Sequence, residues 1–491
     1  MPIIPIGGEF YRSPSLPISA QECVGLYANI PQAIAPTKMT LLPPAGLKLA
    51  TTAGATEINR GGTVFQGVPY VVNGSNLYRI DRATDAMGTN TYSAVAVNGA
   101  VSIAGSGRVM MSDNGAEGDQ LCIIAPDVSD KFNAYIYTLA TTTFVAISDT
   151  DFDGPVSSVQ YVDGYFLFTK SQSQKLFVSN LRDGLAYTAT DFVLSESDPD
   201  NISGSWILNN EPVIFGTQSF EHFQNVGGAG FPFQRVQGAV QDKGLKSKFA
   251  VQEVNNAMIF LGASEGETPA IWASTGGTPE KLSTTAIDTE LSSYTQGVIE
   301  AAFAFKYSQS GAQFVGFTFP TKKTFIYDFT TGKFHTRESR DASGTTLSYR
   351  VCSIMDAYGI LLVGDCISSK IGILDQNTFN EYGDDLRRRF VTPQIDNEGS
   401  PFWLNSLELW LESGVGLTTG QGSDPEILMS YSKDGGKTFS NPISRKIGEI
   451  GEYSQRVIWN SLGRFGRQVC FKFEMSDPVK WSILQIEASF N

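Results

Sequence analysis

Hydrophobic and polar residues alternate with a period of two through most of the chain, and this pattern favours half-buried β-strands over helices. In residues 156–169, VSSVQYVDGYFLFT, two alternating runs flank an Asp-Gly pair, and the run SQKLFVSN follows. Two such runs joined by a tight turn containing Gly or Asn predict a β-hairpin. The same plan returns at residues 62–81, 249–264, 301–319 and 351–365. The sequence therefore predicts an all-β fold with a repeated unit.

A polar residue at the end of the third run sets the spacing of the units. The residues used are Asp81, Asp127, Asn180, Asn225, Thr275, Asp328 and Asp375. Successive positions are 46, 53, 45, 50, 53 and 47 residues apart, and the second and fourth units match the plan less well. A period of about 45–50 residues with four strands per unit is typical of β-propeller blades. We predict a propeller of six to eight blades over residues 56–385; the alternative is a series of ordinary hairpins in a large sandwich.

The two ends of the chain depart from this rhythm. Residues 1–55 contain eight prolines, and such a segment is expected to form neither a central strand nor a helix. We predict an extended Pro-rich arm that packs with the C-terminal domain and is anchored by residues such as Leu26 and Leu47. In residues 386–491, about five alternating runs separated by Gly- and Asp-rich turns predict a β-sandwich platform.

The composition restricts the possible chemistry. The chain has 491 residues, five scattered cysteines without a C-x-x-C pair, and only two histidines. His222 and His335 cannot form a three-histidine or HExxH zinc site, and no G-x-S-x-G elbow accompanies them. We interpret both as strand-face residues and expect no catalytic residue, cofactor or metal. The cysteines favour a reduced compartment, and the sequence shows no secretory signal or membrane-spanning run.

The formal net charge of −14 argues against a protein that clamps nucleic acid. Sequence-independent affinity for DNA comes from Lys and Arg residues that neutralise phosphates. An acidic wall could instead guide DNA without binding it. The one basic cluster is Arg387, Arg388 and Arg389. We interpret it as a solvated or salt-bridged strand face, with a contact to DNA or to another subunit as the alternative.

One motif in the C-terminal region resembles an Asp-box, a hairpin turn common in sialidases. Its residues are Ser432, Asp434, Gly436, Thr438 and Phe439. We expect a structural role, in which Asp434 accepts backbone N–H groups, Gly436 supplies a positive φ and Phe439 packs beneath the turn. Sialidase catalysis would also need an arginine cluster and a Tyr/Glu pair, which the sequence does not assemble.

Several stretches, taken in order, resemble one protein family. They are CVGLYANIPQ near the N-terminus, AGSGRVMMSD at 104–113, TQSFEHFQNVGGAGFPFQRVQGAVQDKGLKSKFAVQ at 217–252, and RVIWNSLGRFGRQVCFKFEMSDPVK at 456–480. Together they resemble the packaged-DNA stabilisation proteins of short-tailed, P22-like bacteriophages, also called tail hub or nozzle proteins. The resemblance covers nearly the whole chain.

This resemblance implies a structural virion protein without catalytic residues. In that family the protein forms a hexameric tube below the portal and its adaptor ring, and it closes the channel after packaging. DNA later leaves through the lumen, while fibres, spikes or a needle dock on the outside or at the tip. We therefore expect a homohexamer in the virion tail, assembled in the host bacterial cytoplasm. Its expected partners are the adaptor, the fibres, spikes or needle, and passing double-stranded DNA, without membrane insertion. The alternative is a glycan-binding or sialidase-like propeller.

Overall fold

The computed structural model describes residues 3–35, 37–126, 132–195, 200–228, 230–341 and 343–490. Antiparallel strands dominate these residues, and the all-β prediction is confirmed. The helices found among them are short: α1 (Gly115–Gly118), α2 (Thr285–Ser292) and α3 (Gln296–Glu300). In the described ranges, no helix has the length and apolar character needed to cross a membrane.

The N-terminal segment contributes six strands, of which the first, third, fifth and sixth pair with distant parts of the chain and the second and fourth pair with the strand that follows them. They are β1 (Ile3–Ile4), β2 (Tyr11–Arg12), β3 (Ala20–Val24), β4 (Tyr27–Asn29), β5 (Thr40–Leu42) and β6 (Gly46–Thr52).

The next part of the chain forms antiparallel sheets of about four strands, which we call blades. The first blade contains β7 (Asn59–Phe65), β8 (Val68–Asn73), β9 (Asn76–Thr84) and β10 (Asn90–Ala96). The second contains β11 (Met110–Asp113), β12 (Gln120–Pro126), β13 (Phe132–Thr138) and β14 (Thr143–Ala146). The third contains β15 (Val156–Val162), β16 (Tyr165–Lys170), β17 (Lys175–Asn180) and β18 (Asp183–Leu194). The fourth contains β19 (Ile202–Leu208), β20 (Glu211–Gly216), β21 (Phe220–Asn225) and β22 (Phe233–Gln241).

The remaining blades vary this plan, and seven blades occur within the described residues. The fifth contains β23 (Gly244–Leu245) and β24 (Val251–Val254), both paired with β25 (Ala257–Ala263), and then β26 (Ala270–Ser274) and β27 (Glu280–Lys281). The sixth contains β28 (Phe303–Gln309), β29 (Ala312–Thr318), β30 (Thr324–Asp328) and β31 (Lys333–Arg340), with β32 (Thr346–Ser348) beside β31. The seventh contains β33 (Val351–Ala357), β34 (Ile360–Asp365) and β35 (Lys370–Asp375) together with β6.

Tight turns join two successive strands into a hairpin in six of these blades. Both residues of each turn have positive φ, which is the geometry of the two-residue type I′ turn. The pairs are Gln66 and Gly67, Asp163 and Gly164, Asn209 and Asn210, Asn255 and Asn256, Ser310 and Gly311, and Tyr358 and Gly359. Gly and Asn tolerate this backbone region best, which explains why they recur between the alternating runs.

Most of the polar residues that set the predicted period close a third strand. Four are the last residues of their strands: Asn180, Asn225, Asp328 and Asp375. Thr275 directly follows β26, whereas Asp81 lies inside β9. Asp127 lies outside the described residues. The third strand of its blade is β13, which ends at Thr138, so the placement of a third-strand end at position 127 is wrong.

The N-terminal segment closes the ring of blades. β6 pairs antiparallel with β35, from Gly46 opposite Asp375 to Thr52 opposite Lys370. Around the ring, β33 of the seventh blade contacts β7 of the first. Residues 46–52 therefore belong to the propeller, and the predicted end of the arm at residue 55 is wrong for them. The last prolines of the arm precede β6, so nothing prevents β6 from forming ladder hydrogen bonds.

The C-terminal region forms the two sheets of a β-sandwich. Its strands are β36 (Arg388–Val391), β37 (Ile395–Asp396), β38 (Phe402–Leu411), β39 (Glu426–Ser432), β40 (Ile443–Lys446), β41 (Val457–Phe465), β42 (Gln468–Met475) and β43 (Ile483–Phe490). The first sheet has the order β4-β5-β43-β38-β41, with β1 beside β43. In the second, β3-β36-β42-β39-β40 are consecutive, β2 lies beside β3 and β37 beside β42. Buried Trp459, Trp481 and Phe473 share the core between them.

Arm strand β3 connects this sandwich to the propeller. It pairs antiparallel with β36, and its Val24 forms a parallel bridge with Thr336 of β31. β3 is thus a central strand, contrary to the expectation for a proline-rich arm. β3 can occupy a central position because Ala20–Val24 contains no proline. The neighbouring prolines, Pro17 and Pro31, lie outside the strand.

Glu381 lies beside the closing strand, where the last blade leads into the sandwich. Its neighbours fix the position, since the Leu47 N–H donates to the Asn380 carbonyl at 2.9 Å and the Tyr382 N–H donates to the Leu47 carbonyl at 2.8 Å. Burial raises the pKa of Glu381 from 4.5 to about 7, against the opposing effects of the Ser339 hydroxyl and of the charges of Arg337 and Arg350, while Asp365 raises it further. The carboxyl group is therefore easier to protonate in the folded protein than in the unfolded chain.

This difference predicts a pH dependence of stability. Between about pH 4.5 and pH 7 the folded state retains a proton that the unfolded chain releases, so the free energy of unfolding should fall as the pH rises through this window. Glu381→Gln removes the titrating group and should reduce this fall. Thermal unfolding of both proteins at pH 5 and pH 8 checks the prediction, and an identical pH dependence of the two proteins would contradict it.

Closure by β6 predicts unequal effects of two leucine substitutions on one strand. Leu47 is fully buried, whereas Leu49 is 49% exposed. Leu47→Ala should lower the free energy of unfolding by about 2–5 kcal/mol because it leaves a cavity. Leu49→Ala, the matched control, should change it by about 0.5 kcal/mol or less. Urea denaturation measures both, and equal effects would argue against β6 as a core strand.

Candidate functional site

Side chains from opposite parts of the ring meet at the end of the propeller axis where the inner strands begin. The Arg108 guanidinium lies 3.9 Å from the centre of the Phe303 ring, and its Nη2 donates to the Cys352 carbonyl at 2.9 Å. Arg108 precedes β11 in the second blade, whereas Phe303 and Cys352 lie at the starts of β28 and β33 in the sixth and seventh blades. Contacts between blades that are not neighbours must cross the axis. This end of the axis is therefore filled by side chains.

The two histidines lie on strands of the propeller and are buried. His222 is on β21 and His335 on β31. Burial, together with the nearby Arg337 charge, lowers the pKa of His335 to about 3. Burial also lowers the pKa of His222, and the Glu211 charge opposes this effect. In the described part of the chain, no group of three or more His, Cys, Asp or Glu side chains is arranged to hold a metal ion.

A charged cleft lies where the arm, the sixth blade and the sandwich meet, and we call it the junction cleft. It encloses about 450 Å³. Its charged residues are Arg12, Glu22, Glu338, Arg387, Arg389, Lys437, Lys472 and Glu474. Five cations thus face three carboxylates, in a chain whose net charge is −14. The cleft is a positively charged site on an acidic protein.

The structure brings the predicted Arg cluster and the predicted Asp-box together at this cleft. Arg387 and Arg389 line it from the segment that enters the sandwich, and Gly436 and Phe439 line it from the turn after β39. The two motifs are about 45 residues apart in the sequence, and nothing in their spacing indicates that they lie close together.

Arg389 joins the three parts of the molecule that form the cleft. Its Nε donates to Glu22 of β3 at 3.0 Å, and its Nη1 donates to Glu338 of β31 at 2.9 Å. Arg387 pairs with Glu474 of β42. The ion-paired interpretation of the cluster therefore agrees with the contacts of both residues.

Arg388 is fully buried and points into the sandwich. Its guanidinium donates to the backbone carbonyls of Val479, at 2.7 Å, and Asp477. Burial lowers its pKa to about 10. A side chain buried in this way cannot reach DNA or another subunit, so that alternative is wrong for Arg388.

The Asp-box residues form a closed turn held by side-chain oxygens. The Asp434 carboxylate accepts the N–H groups of Lys437 at 3.0 Å and Thr438 at 2.9 Å, and the Thr438 hydroxyl at 2.6 Å. The Ser432 hydroxyl donates to Asp434 at 2.7 Å and accepts the Gly436 N–H at 2.8 Å. The hydrogen bonds from Thr438 and the other donors hold the pKa of Asp434 well below its ordinary value.

The same turn packs against the N-terminal arm. Gly436 has a φ of +93°, and a Cβ added there would collide with the Cβ of Ala20 on β3. Phe439 is half-buried, and the Lys472 Nζ lies 5.0 Å from the centre of its ring. The turn therefore positions one wall of the junction cleft.

No sequence pattern identifies the partners of the arginines. Glu22 and Glu338 are more than 300 residues apart, and each is a single charged residue in an alternating strand. Such a residue normally faces solvent, so only the pairing of β3 with β36 and β31 brings both carboxylates to Arg389.

Comparison with known families identifies the combination of propeller and sandwich. A family model described as "Bacteriophage P22 Gp10, beta-propeller" matches residues 21–379, and one described as "Bacteriophage P22 Gp10, beta-sandwich" matches residues 387–491. The chain belongs to the P22 Gp10 family. The tail hub protein gp10 of Salmonella phage P22 is 22% identical over 473 residues, which cover 89% of this chain and 90% of that relative. The family resemblance found in the sequence is confirmed.

Two solved structures show a weak likeness to this chain. The extracellular domain of a one component system from B. thetaiotaomicron has a TM-score of 0.43 and 9% identity, over 76% of this chain and 45% of that chain. The computationally designed Ika8 protein has a TM-score of 0.35 and 11% identity, over 67% of this chain and 99% of that chain. At these scores the likeness carries no argument about function.

The contacts of Arg389 predict unequal effects of two arginine substitutions in the cleft. Arg389→Ala leaves Glu22 and Glu338 without their shared cation in a largely buried place and should lower the free energy of unfolding by about 3 kcal/mol. Among the described residues, Arg12 forms an ion pair with Glu22 alone, at 3.4 Å, and its side chain is 48% exposed. Arg12→Ala should therefore cost about 1 kcal/mol or less. Urea denaturation distinguishes the two variants, and an Arg389→Ala protein as stable as wild type would refute the joining role.

Proposed function

We propose that this protein is a tail hub of a short-tailed bacteriophage, a structural component of the virion tail that assembles in the host bacterial cytoplasm. The observation that carries the proposal is the match of both P22 Gp10 domains, in order, over residues 21–379 and 387–491. The tail hub name of the relative from Salmonella phage P22, which matches over 89% of this chain, supports the same role.

In this proposal six copies form a ring below the portal and its adaptor, and double-stranded DNA passes through a lumen between the copies. The filled end of each propeller axis, where Arg108 meets Phe303 and Cys352, supports a passage between subunits rather than through one of them. The net charge of −14 also supports this role, since an acidic wall repels phosphates and does not retain passing DNA.

The ring retains the packaged genome until ejection and offers its outer surface or tip to fibres, spikes or a needle. The role is structural and requires no catalytic residue. The buried histidines and the structural hydrogen bonds of the Asp-box turn are consistent with it.

Particles assembled without this protein provide the test. We expect heads that package DNA and then lose it, because nothing closes the channel below the adaptor. The measurement is the ratio of nuclease-resistant DNA to capsid protein, with purified wild-type protein added back as the control. Particles that retain their full DNA without the protein would overturn the proposal. Hydrolysis of a fluorogenic sialoside by the purified chain would instead support the sialidase-like alternative.

A further inference from the structure

A second charged surface lies at the other end of the sandwich from the Asp-box turn, and we call it the acidic tip. It consists of residues 412–426 and 447–455, which contain five carboxylates and no Lys or Arg. The two segments are held together, because the Ile447 N–H donates to the Pro425 carbonyl at 3.0 Å and the Ser413 hydroxyl donates to the Tyr453 carbonyl at 2.8 Å. The tip is therefore one ordered surface rather than two independent loops.

The acidic tip exposes apolar side chains that the protomer does not cover. Leu417 is 40% exposed, Ile450 59% and Tyr453 77%. A group of exposed apolar residues with a charged rim is typical of a surface that binds another protein. The composition of the tip thus indicates a protein partner with positive charge.

The tip keeps a net negative charge once its ion pairs within the described residues are counted. Glu412 pairs with Lys480 at 2.8 Å and Asp424 pairs with Lys446. Glu426, Glu449 and Glu452 form no ion pair within those residues, and the charge of Lys446 also acts on Glu426 and Glu449. Five carboxylates thus face two lysines.

The junction cleft has the complementary charge. Lys437 is exposed and takes part in none of the ion pairs formed by the described residues of the cleft. The half-buried ring of Phe439 adds an apolar contact next to it. A segment that carries both carboxylates and apolar side chains fits this surface, because the cations of the cleft outnumber its carboxylates and the Phe439 ring offers an apolar contact beside them.

The two surfaces are separated within one protomer. The tip flanks the first residue of β39, Glu426, and the Asp-box turn follows the last, Ser432. Seven strand residues span about 20 Å. Lys437 and the tip carboxylates therefore do not meet in one chain. Two complementary surfaces at different places on identical subunits produce head-to-tail contacts, which close into a ring when the rotation allows it.

We propose that the acidic tip of one copy docks into the junction cleft of the next copy in the tail ring. The inference rests on the proposed function, because it assigns the surfaces through which the ring forms. Glu449 and Glu452 face Lys437 of the neighbour, and Ile450 and Tyr453 pack near its Phe439.

Charge reversal on each side tests this contact. Lys437→Glu alone, and Glu449→Lys with Glu452→Lys, each place like charges opposite one another in the ring. We expect each variant to lower the number of copies per particle by about tenfold or more when it is added to particles lacking the protein. The protein carrying all three substitutions restores opposite charges and should bind at nearly the wild-type level.

Matched variants separate this effect from a general effect of charge or folding. Lys48→Glu and Glu265→Lys change exposed residues outside both surfaces and should leave the copy number unchanged. Thermal unfolding of every purified variant confirms that it folds. A last experiment treats particles assembled from mixed ¹⁴N and ¹⁵N protein with a carbodiimide, which couples Lys to Glu side chains. We expect a cross-link that joins Lys437 of one copy to Glu449 or Glu452 of a differently labelled copy.

The possible failures can be told apart. Normal copy numbers for the separate reversals, or no recovery in the combined variant, would overturn the contact and leave the tail hub role intact. Absence of the wild-type protein from the particles would overturn the proposed function itself. A Lys437→Glu protein that assembles normally but releases DNA would mean that the cleft faces the genome, and this result also overturns the contact.

Discussion

The antiparallel pairing of β6 with β35 is the constraint on which the rest of the structure depends. It joins residues 46–52 to residues 370–375 and so closes a ring of blades whose first and last members are far apart in the sequence. Contacts of such high sequence separation cost loop-closure entropy before they contribute any stability. The fully buried Leu47 and the contacts around Glu381 lie at this position, so the closing strand is held by both apolar packing and hydrogen bonds.

The closing strand also determines how the sandwich is attached. Because β6 is fixed in the seventh blade, the preceding strands β1–β5 must run from the propeller into the two sandwich sheets. β3 then lies between β36 and β31, and this placement brings Glu22 and Glu338 to Arg389. The junction cleft is thus a consequence of the path of the N-terminal segment, and the Asp-box turn completes it by packing against Ala20.

Local features of this fold could be predicted from the sequence because they depend on neighbouring residues. The alternating runs and the Gly or Asn residues of the turns, such as Asn209 and Asn210, specify hairpins directly. The Asp-box geometry around Asp434 is equally local. The role of β6 was not predictable, since a seven-residue strand after a proline-rich segment contains no information about its partner more than 300 residues later. The burial of Arg388 was missed for the same reason, because the carbonyls that accept its hydrogen bonds, at Asp477 and Val479, are about 90 residues away.

We propose that this protein lines the genome's exit as a ring of copies, with the DNA between subunits and not inside one propeller. Cryo-electron microscopy of intact particles is the decisive measurement. We expect density for this chain in a ring below the portal, with DNA in the central lumen and with side-chain density at Arg108 and Phe303 filling each propeller axis. DNA density within a propeller axis, or a tail that lacks this chain, would refute this arrangement.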